Sequence, residues 1–456
     1  EEGCARQLTE TLGPRAFRRP LPAGDVSRYL GLYRTLAAAG GHQEGLRAVV
    51  SGLLQSPHFL YRVELGEAAG ATYRLTPHEV ASELSYLLWG SMPDDALLQR
   101  AAAGQLASAA QIEAEARRLL ASDKARPQLD HFLGQWLLLD RLGNAPKDEK
   151  LFPDFTADVR AAMRAETAEV FDRVVRKDGG KLADLLLGRY SYMSDGLARF
   201  YGLPAPSAPR TPAGLGRVDL PAGRGGLLTQ GAVLATQATP HSGSPIHRGK
   251  LVRERLLCQP LPPPPPALDT SPPEPDPSKS TRERYEQHTA DPACAGCHLL
   301  IDGIGFAFEH YDALGRWRDM DGEHPIDAQG ELTATEHTNG EFEGLGELST
   351  LLAGSPDAAT LFVGNMPNAG GLMHHVVEPR KFPVEPAHAF HQHRATLLAP
   401  SSNLHALADP EWVGVYEDVD GRQQEFEFHA AVHISTCARS SEERPNKGGS
   451  GIISSK

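Results

Sequence analysis

Cys294-Ala295-Gly296-Cys297-His298 is the segment whose residue types and spacing most directly specify a chemistry. C-x-x-C-H is the attachment signature of a c-type haem. Thiols three residues apart lie on one face of a helical turn, where each can add across a vinyl group. The adjacent His298 then stands under the iron as proximal ligand, and imidazole is the commonest such ligand. With five Cys and nineteen His in 456 residues, chance placement yields this pentapeptide in only on the order of a few per thousand such chains. Two other chemistries use the same atoms. Cys294, Cys297 and His298 would make three ligands of a zinc site completed by Cys258 or a further His. No second C-x-x-C or H-x-x-x-H stands at zinc-finger spacing, however. A redox-active dithiol is expected after a strand and before a long helix, and neither pattern flanks this pair.

A sixth iron ligand has three candidates. Met320 is the nearest downstream thioether, and His310 and His324 are the nearest imidazoles; a Met would raise the potential relative to a His. The twelve residues from His298 to His310 are few for a chain to cross a haem plane, so Met320 or an open position is expected. The run Ile301-Asp302-Gly303-Ile304-Gly305-Phe306-Ala307-Phe308, with Tyr311, Leu314 and Trp317, is apolar for a loop. It reads either as an apolar shell around the haem edge or as the core of a small domain. Asp302, Arg316 and Arg318 read as propionate partners or as turn stabilisers.

These residues need elements to hold them. Thr76-Pro77-His78-Glu79 is a capping box with proline in the first turn, followed by Val80, Leu84, Leu87 and Leu88 on one helix face. A helix from near Phe155 puts Val159, Met163, Val170 and Val174 along a stripe and stops at Asp178-Gly179-Gly180. The stretch from Gln111 to Leu139 reads as two more helices, the second carrying Phe132, Trp136 and Leu137. Residues 203–223 read as an irregular connection, and a helix from Ile246 to Leu257 is expected to have a basic side made of Arg248, Lys250, Arg253 and Arg255. Pro262 to Pro266 should form an extended spacer of roughly 15 Å, and a helix near Thr281 to His288 leads into the motif. Paired carboxylates such as Asp94-Asp95 and Glu166 with Glu169 are expected at helix starts or on solvated faces.

The formal charge of −13 disfavours binding to nucleic acid or an anionic membrane, which would need a basic face. No apolar run reaches the ~18 residues of a membrane span. The chain opens at Glu1-Glu2-Gly3-Cys4 without Met, as expected if its true start, with a signal peptide, lies upstream.

Over about the first 350 positions the motifs resemble a bacterial family, the planctomycete-type cytochrome-like proteins. In chain order these carry the domain-of-unknown-function units fifteen-ninety-five, fifteen-ninety-two, fifteen-eighty-eight and fifteen-eighty-five. The first unit is carried by Ala16-Phe17-Arg18-Arg19-Pro20-Leu21 and by Leu54-Gln55-Ser56-Pro57-His58-Phe59-Leu60-Tyr61-Arg62. The second rests on Leu75-Thr76-Pro77, on the stretch from Leu84 to Asp94, and on Leu197-Ala198-Arg199-Phe200-Tyr201-Gly202. The third shows Arg224-Gly225-Gly226-Leu227-Leu228, Ser244-Pro245, Arg248-Gly249-Lys250, the proline run, and the stretch from Cys294 to Arg318. The resemblance implies an exported, mostly helical protein bearing a c-type haem motif and gives no activity. The family usually has Asp-Pro where Asp302-Gly303 stands.

The expected architecture is mainly α: a helical bundle followed by a small, loop-rich α domain carrying the haem motif. Its parts are residues 1–66, an N-terminal helical unit; 72–202, the bundle; 224–320, the C-x-x-C-H domain; 321–355, a truncated fourth family unit; and 356–456, an atypical tail. The His-rich stretches of the tail, from Met373-His374-His375 to His391-Gln392-His393-Arg394, lack periodicity. They read as disordered or out-of-frame sequence, or else as a metal-binding cluster. The expected function is that of an exported redox protein in the periplasm or outside the cell, with covalent haem c on Cys294, Cys297 and His298. It would serve one-electron transfer with an unidentified redox partner, or peroxide or oxygen chemistry if the sixth position is open. The alternative is a non-enzymatic scaffold with a structural Cys pair or zinc site and a surface- or polymer-associated partner. A hydrolase has no Ser-His-Asp, H-E-x-x-H or phosphate-loop signature to support it.

Overall fold

A computed structural model describes residues 1–69, 72–262, 273, 276, 278–289, 292–359, 411–417 and 423–429. The His-rich stretches of the tail and Pro263 to Pro266 lie outside the described residues. The chain divides into two compact units. One comprises residues 1–61, 70–72 and 380–456, and the other 62–69 and 73–379.

In the first unit, α1 (Glu2–Phe17), α2 (Ala23–Gly40), α3 (His42–Leu54) and the short α4 (Pro57–Leu60) enclose their own core of Phe17, Val26, Tyr29, Leu30, Tyr33, Val49 and Leu53. Arg18, part of the Phe17-Arg18-Arg19-Pro20 motif, is 5% exposed, and its guanidinium donates to the carbonyls of His58 and Tyr61, each at 2.8 Å. That pair of bonds ties the end of α1 to α4 and links the two family motifs of this unit. The tail contributes an antiparallel hairpin, with two strands at Glu411–Glu417 and Gln423–His429, which the sequence reading did not anticipate.

In the second unit, strands β1 (Glu67–Ala69) and β2 (Thr72–Arg74) precede α5 (Pro77–Trp89), which opens on the expected capping box. Thr76 Oγ1 accepts from Glu79 N, and Glu79 accepts from Thr76 N at 2.7 Å. Then come α6 (Asp95–Ala102), α7 (Ala109–Ala121), α8 (Ala125–Trp136), α9 (Ala157–Arg176) and α10 (Leu182–Leu187). Asp94, Ser108 and Thr156 cap their helices through side-chain oxygens. Strand β3 (Tyr190–Met193) leads to α11 (Asp195–Phe200), and β4 (Gly216–Asp219) returns to pair antiparallel with it, Tyr190 opposite Asp219. The expected irregular connection therefore contains a strand.

Next come α12 (Gly231–Thr236), α13 (Pro245–Leu251), α14 (Thr281–Thr289), α15 (Pro292–His298) and α16 (Asp302–Phe306). Two short antiparallel pairs, β5 (Met320–Asp321) with β6 (His324–Pro325) and β7 (Gln329–Leu332) with β8 (Gly340–Glu343), precede α17 (Gly344–Ala353). One core runs through all of this. Phe132, Trp136, Phe171 and Val174 of the bundle belong to the same packed cluster as Ile304, Phe308, Tyr311 and Leu314, and as Leu345, Leu348 and Leu352 of α17. Bundle, motif region and the 321–355 segment thus form one unit, with the apolar run after the motif serving as its interior. The fold is mainly α.

Two expectations are corrected. The helix after Ser244 is α13 followed by a π-helical turn at Val252–Leu256, and its basic residues do not share one solvated side: Lys250 is exposed and Arg255 half-buried, whereas Arg248 and Arg253 are 1% and 2% exposed. Glu166 and Glu169 are not on a solvated face either, at 1% and 2% exposed. The reason is the same in both cases. Arg248, Arg253 and Glu166 meet polar partners from distant parts of the chain, and Glu169 is paired with Arg126 and with Arg173 on its own helix.

Candidate functional site

Helix α15 contains the whole motif, with His298 as its last residue. Cys297 is half-buried and carries a free thiol. His298 Nδ1 lies 3.0 Å and 3.2 Å from the two carboxylate oxygens of Asp302, and the side chains are 14% and 11% exposed. An ionised carboxylate only accepts, so Nδ1 holds the hydrogen and donates it. That tautomer places the lone pair on Nε2, the nitrogen a metal takes.

The backbone that sets this pair is clamped from behind. Arg253 donates through Nε and Nη2 to the Leu300 carbonyl at 3.0 Å and 2.7 Å, and through Nη1 to Thr333 O at 2.8 Å and Gln259 Oε1 at 2.6 Å. Helices α13 and α16 touch backbone to backbone. A Cβ on Gly249 would collide with the Ile301 carbonyl, and one on Gly305 with the Pro245 carbonyl. Gly303 packs less closely against the backbone of Glu331, where a Cβ would come within 3.0 Å of the carbonyl oxygen. Arg248 donates to the carbonyls of Phe308 at 3.2 Å, Tyr311 at 2.9 Å and Asp312 at 2.7 Å, which fixes the turn after α16. Burial pushes this guanidinium down to about 10. The same burial pushes the Glu309 carboxyl up against the opposing pull of Arg318 and Arg248. It also raises the Tyr285 phenol on α14.

A second buried polar group joins the bundle to this region. Glu166 of α9 accepts from Ser191 Oγ at 2.6 Å and from Tyr201 OH at 3.3 Å. The Arg224 guanidinium lies 4.6 Å from the centre of the Tyr201 ring and 5.4 Å from that of Tyr311. Desolvation raises Glu166 to about 7 and lifts Tyr201 well above its ordinary range. Sequence reading missed this group. The only sign of it was the placement of Tyr201 and Arg224 within family motifs.

The other predicted residues fall as follows. Met320 is on β5, 47% exposed, and its neighbour Asp321 accepts from Thr281 N at the start of α14 at 2.6 Å. His310 stacks on Trp317 with ring centres 4.6 Å apart, and its Nδ1 lies 3.0 Å from Arg318 O. His324 sits on β6. Arg316 pairs with Asp312, and Arg318 with Glu309 and Asp321, so both act as turn stabilisers. Cys258 is exposed. Among the described residues, the one grouping of three metal-competent side chains is Glu336, His337 and Asp357, and Cys258 does not complete a site with Cys297 and His298. The carboxylate of Asp357, 2.9 Å from His337 Nδ1, raises the imidazole and is itself lowered by it.

Three family models match, in chain order. Residues 4–64 match a protein of unknown function (DUF1595), 75–203 one of unknown function (DUF1592) and 224–321 one of unknown function (DUF1588). The chain belongs to the planctomycete-type cytochrome-like family. None of the curated proteins and none of the solved structures matches it. In this family setting, the motif residues Arg18, Arg224, Arg248 and Gly249 have structural tasks. Each holds a backbone segment or allows one to approach another.

No helix of the described residues is long and apolar enough to cross a membrane. Of the donors a c-type haem would need, the described side chains supply a free thiol at Cys297 and an imidazole oriented through Nδ1, with an apolar Leu299 left 76% exposed beside them. The side chain of Cys294 lies outside the described ones.

Proposed function

We propose that the chain is an exported redox protein that carries one covalent c-type haem on Cys294, Cys297 and His298. The observation that carries this reading is the His298–Asp302 pair, which selects the imidazole tautomer a metal requires. Cys294 and Cys297 would hold the haem by thioether bonds, each thiol adding across a vinyl group with sulfur to one carbon and hydrogen to the other and no net oxidation. His298 would supply a nitrogen ligand to the iron, and Met320 is the candidate for a second protein ligand. A haem held there supplies one-electron chemistry, its iron alternating between ferrous and ferric. The surrounding helices hold the His298 backbone still, so that little rearrangement accompanies the change of charge. The family supports this reading through its cytochrome-like description, and the redox partner is unidentified.

The test is a visible spectrum and pyridine haemochrome assay of protein exported alongside cytochrome-c maturation machinery. Covalent haem near one per chain is expected, lost in Cys297→Ser and strongly reduced in His298→Ala. Wild-type protein without haem but with zinc or free thiols would overturn the proposal in favour of a non-enzymatic scaffold.

A further inference from the structure

We propose that Asp302 is a positioning residue that strengthens His298 as an electron donor and so holds iron bound there towards the ferric state, at a lowered potential. This rests on the haem reading above and adds to it the direction in which the site is tuned.

Two features of the geometry carry the inference. First, the acceptor at His298 Nδ1 is a carboxylate and not a backbone carbonyl, with both oxygens within 3.2 Å. A charge-assisted bond of this kind is roughly twice as strong as a neutral one. Drawing the Nδ1 proton towards Asp302 leaves more electron density on the ring, and a more basic imidazole favours the higher oxidation state. Second, among the described residues the one ion pair of the Asp302 carboxylate is with His298, and Arg284 of α14, whose charge acts on the neighbouring Tyr285 and Glu309, forms no ion pair with it. Arg253 spends its donors on Leu300, Thr333 and Gln259, Arg316 on Asp312, and Arg318 on Glu309 and Asp321. Around a pair only 14% and 11% exposed, water screens the charge weakly.

The placement is also preorganised. Asp302 opens α16, and that helix is fixed by the glycine contact with α13 and by the Arg253 clamp on the preceding carbonyl. A carboxylate that served only to begin a five-residue helix would need neither this orientation nor this rigidity.

The experiment is potentiometry on haem-loaded full-length protein, comparing wild type with Asp302→Asn and Asp302→Glu. Asp302→Asn keeps the shape and removes the charge. It should retain covalent haem while its midpoint potential rises above that of wild type, and Asp302→Glu should return the potential towards wild type. A haem-loaded Asp302→Asn with an unchanged or lower potential overturns the inference and leaves the haem reading intact. Wild type without haem overturns both. If Asp302→Asn does not retain haem, the reduced wild-type protein decides by imidazole nitrogen-15 NMR. A strongly donating, imidazolate-like Nδ1 of His298 supports the inference, and an ordinary neutral imidazole overturns it.

Discussion

At the scale of single residues, buried charges do much of the organising in this protein, and they give the sharpest predictions. Arg248 Nη1 and Nη2 donate to three carbonyls at the turn after α16. Arg248→Met would keep much of the volume and leave those carbonyls without their donors, at a cost of about 3 kcal/mol or more, read as a lowered denaturant midpoint. Glu166 gives a pH prediction. Burial raises its folded pKa from 4.5 to about 7, so the folded state holds a proton that the unfolded state gives up first. Its contribution is therefore fully present below about pH 4.5 and is lost as pH rises through about 7, a change on the order of 3 kcal/mol. Glu166→Gln should flatten that part of the stability–pH curve, with Tyr201 and Arg224 left in place around it; a curve identical to wild type would refute the assignment. Neither role was legible in the sequence. A helical wheel shows where a guanidinium or carboxylate sits on its own helix, but the partners of Arg248 lie some sixty residues on. The partners of Glu166, Ser191 and Tyr201, lie beyond the end of α9.

At the scale of elements, what the sequence disclosed follows the range of the forces involved. Capping is local, so Thr76 with Glu79 announced α5 and the glycines after Asp178 announced the end of α9. The apolar stripe of α9 was equally plain, because a twenty-residue helix repeats its pattern several times. Strands β3 and β4 have four residues each, too few for alternation to stand out, and their pairing is set by contact across the intervening segment. The C-x-x-C-H motif was likewise local and fully legible, whereas the α13–α16 contact that steadies it was visible only as the glycine of Arg248-Gly249-Lys250. That contact is testable. Gly249→Ala puts a methyl group into the Ile301 carbonyl, and backbone cannot move aside as a flexible side chain would. A destabilisation of about 1–3 kcal/mol is expected from overpacking, whereas Gly296→Ala, with open space around its Cβ position, should leave the stability unchanged.

At the scale of the whole molecule, the division into a bundle at residues 72–202 and a C-x-x-C-H domain at 224–320, natural from the family units, is not the division made by the core. Phe171 of α9 and Leu314 beyond α16 are buried to 1% and 0% exposure in one continuous cluster, and Arg224 stacks between Tyr201 and Tyr311. Sequence periodicity reports which residues of an element are buried but not which elements share an interior, so separate domains were the natural reading. A shared core has a thermodynamic consequence: the two regions should unfold together. Phe171→Ala should cost about 3–5 kcal/mol and Leu314→Ala about 2–5 kcal/mol. Both should shift one and the same transition, whether it is followed by the emission of Trp136 in α8, with Trp89, Trp317 and Trp412 replaced by Phe, or by the reactivity of the Cys297 thiol beside His298. Two separable transitions, each moved by only one substitution, would mean that the regions are independent. Coincident transitions would mean that the bundle is part of the structure that holds His298 and Asp302 in register, which explains why a motif of five residues is embedded in so large a helical unit.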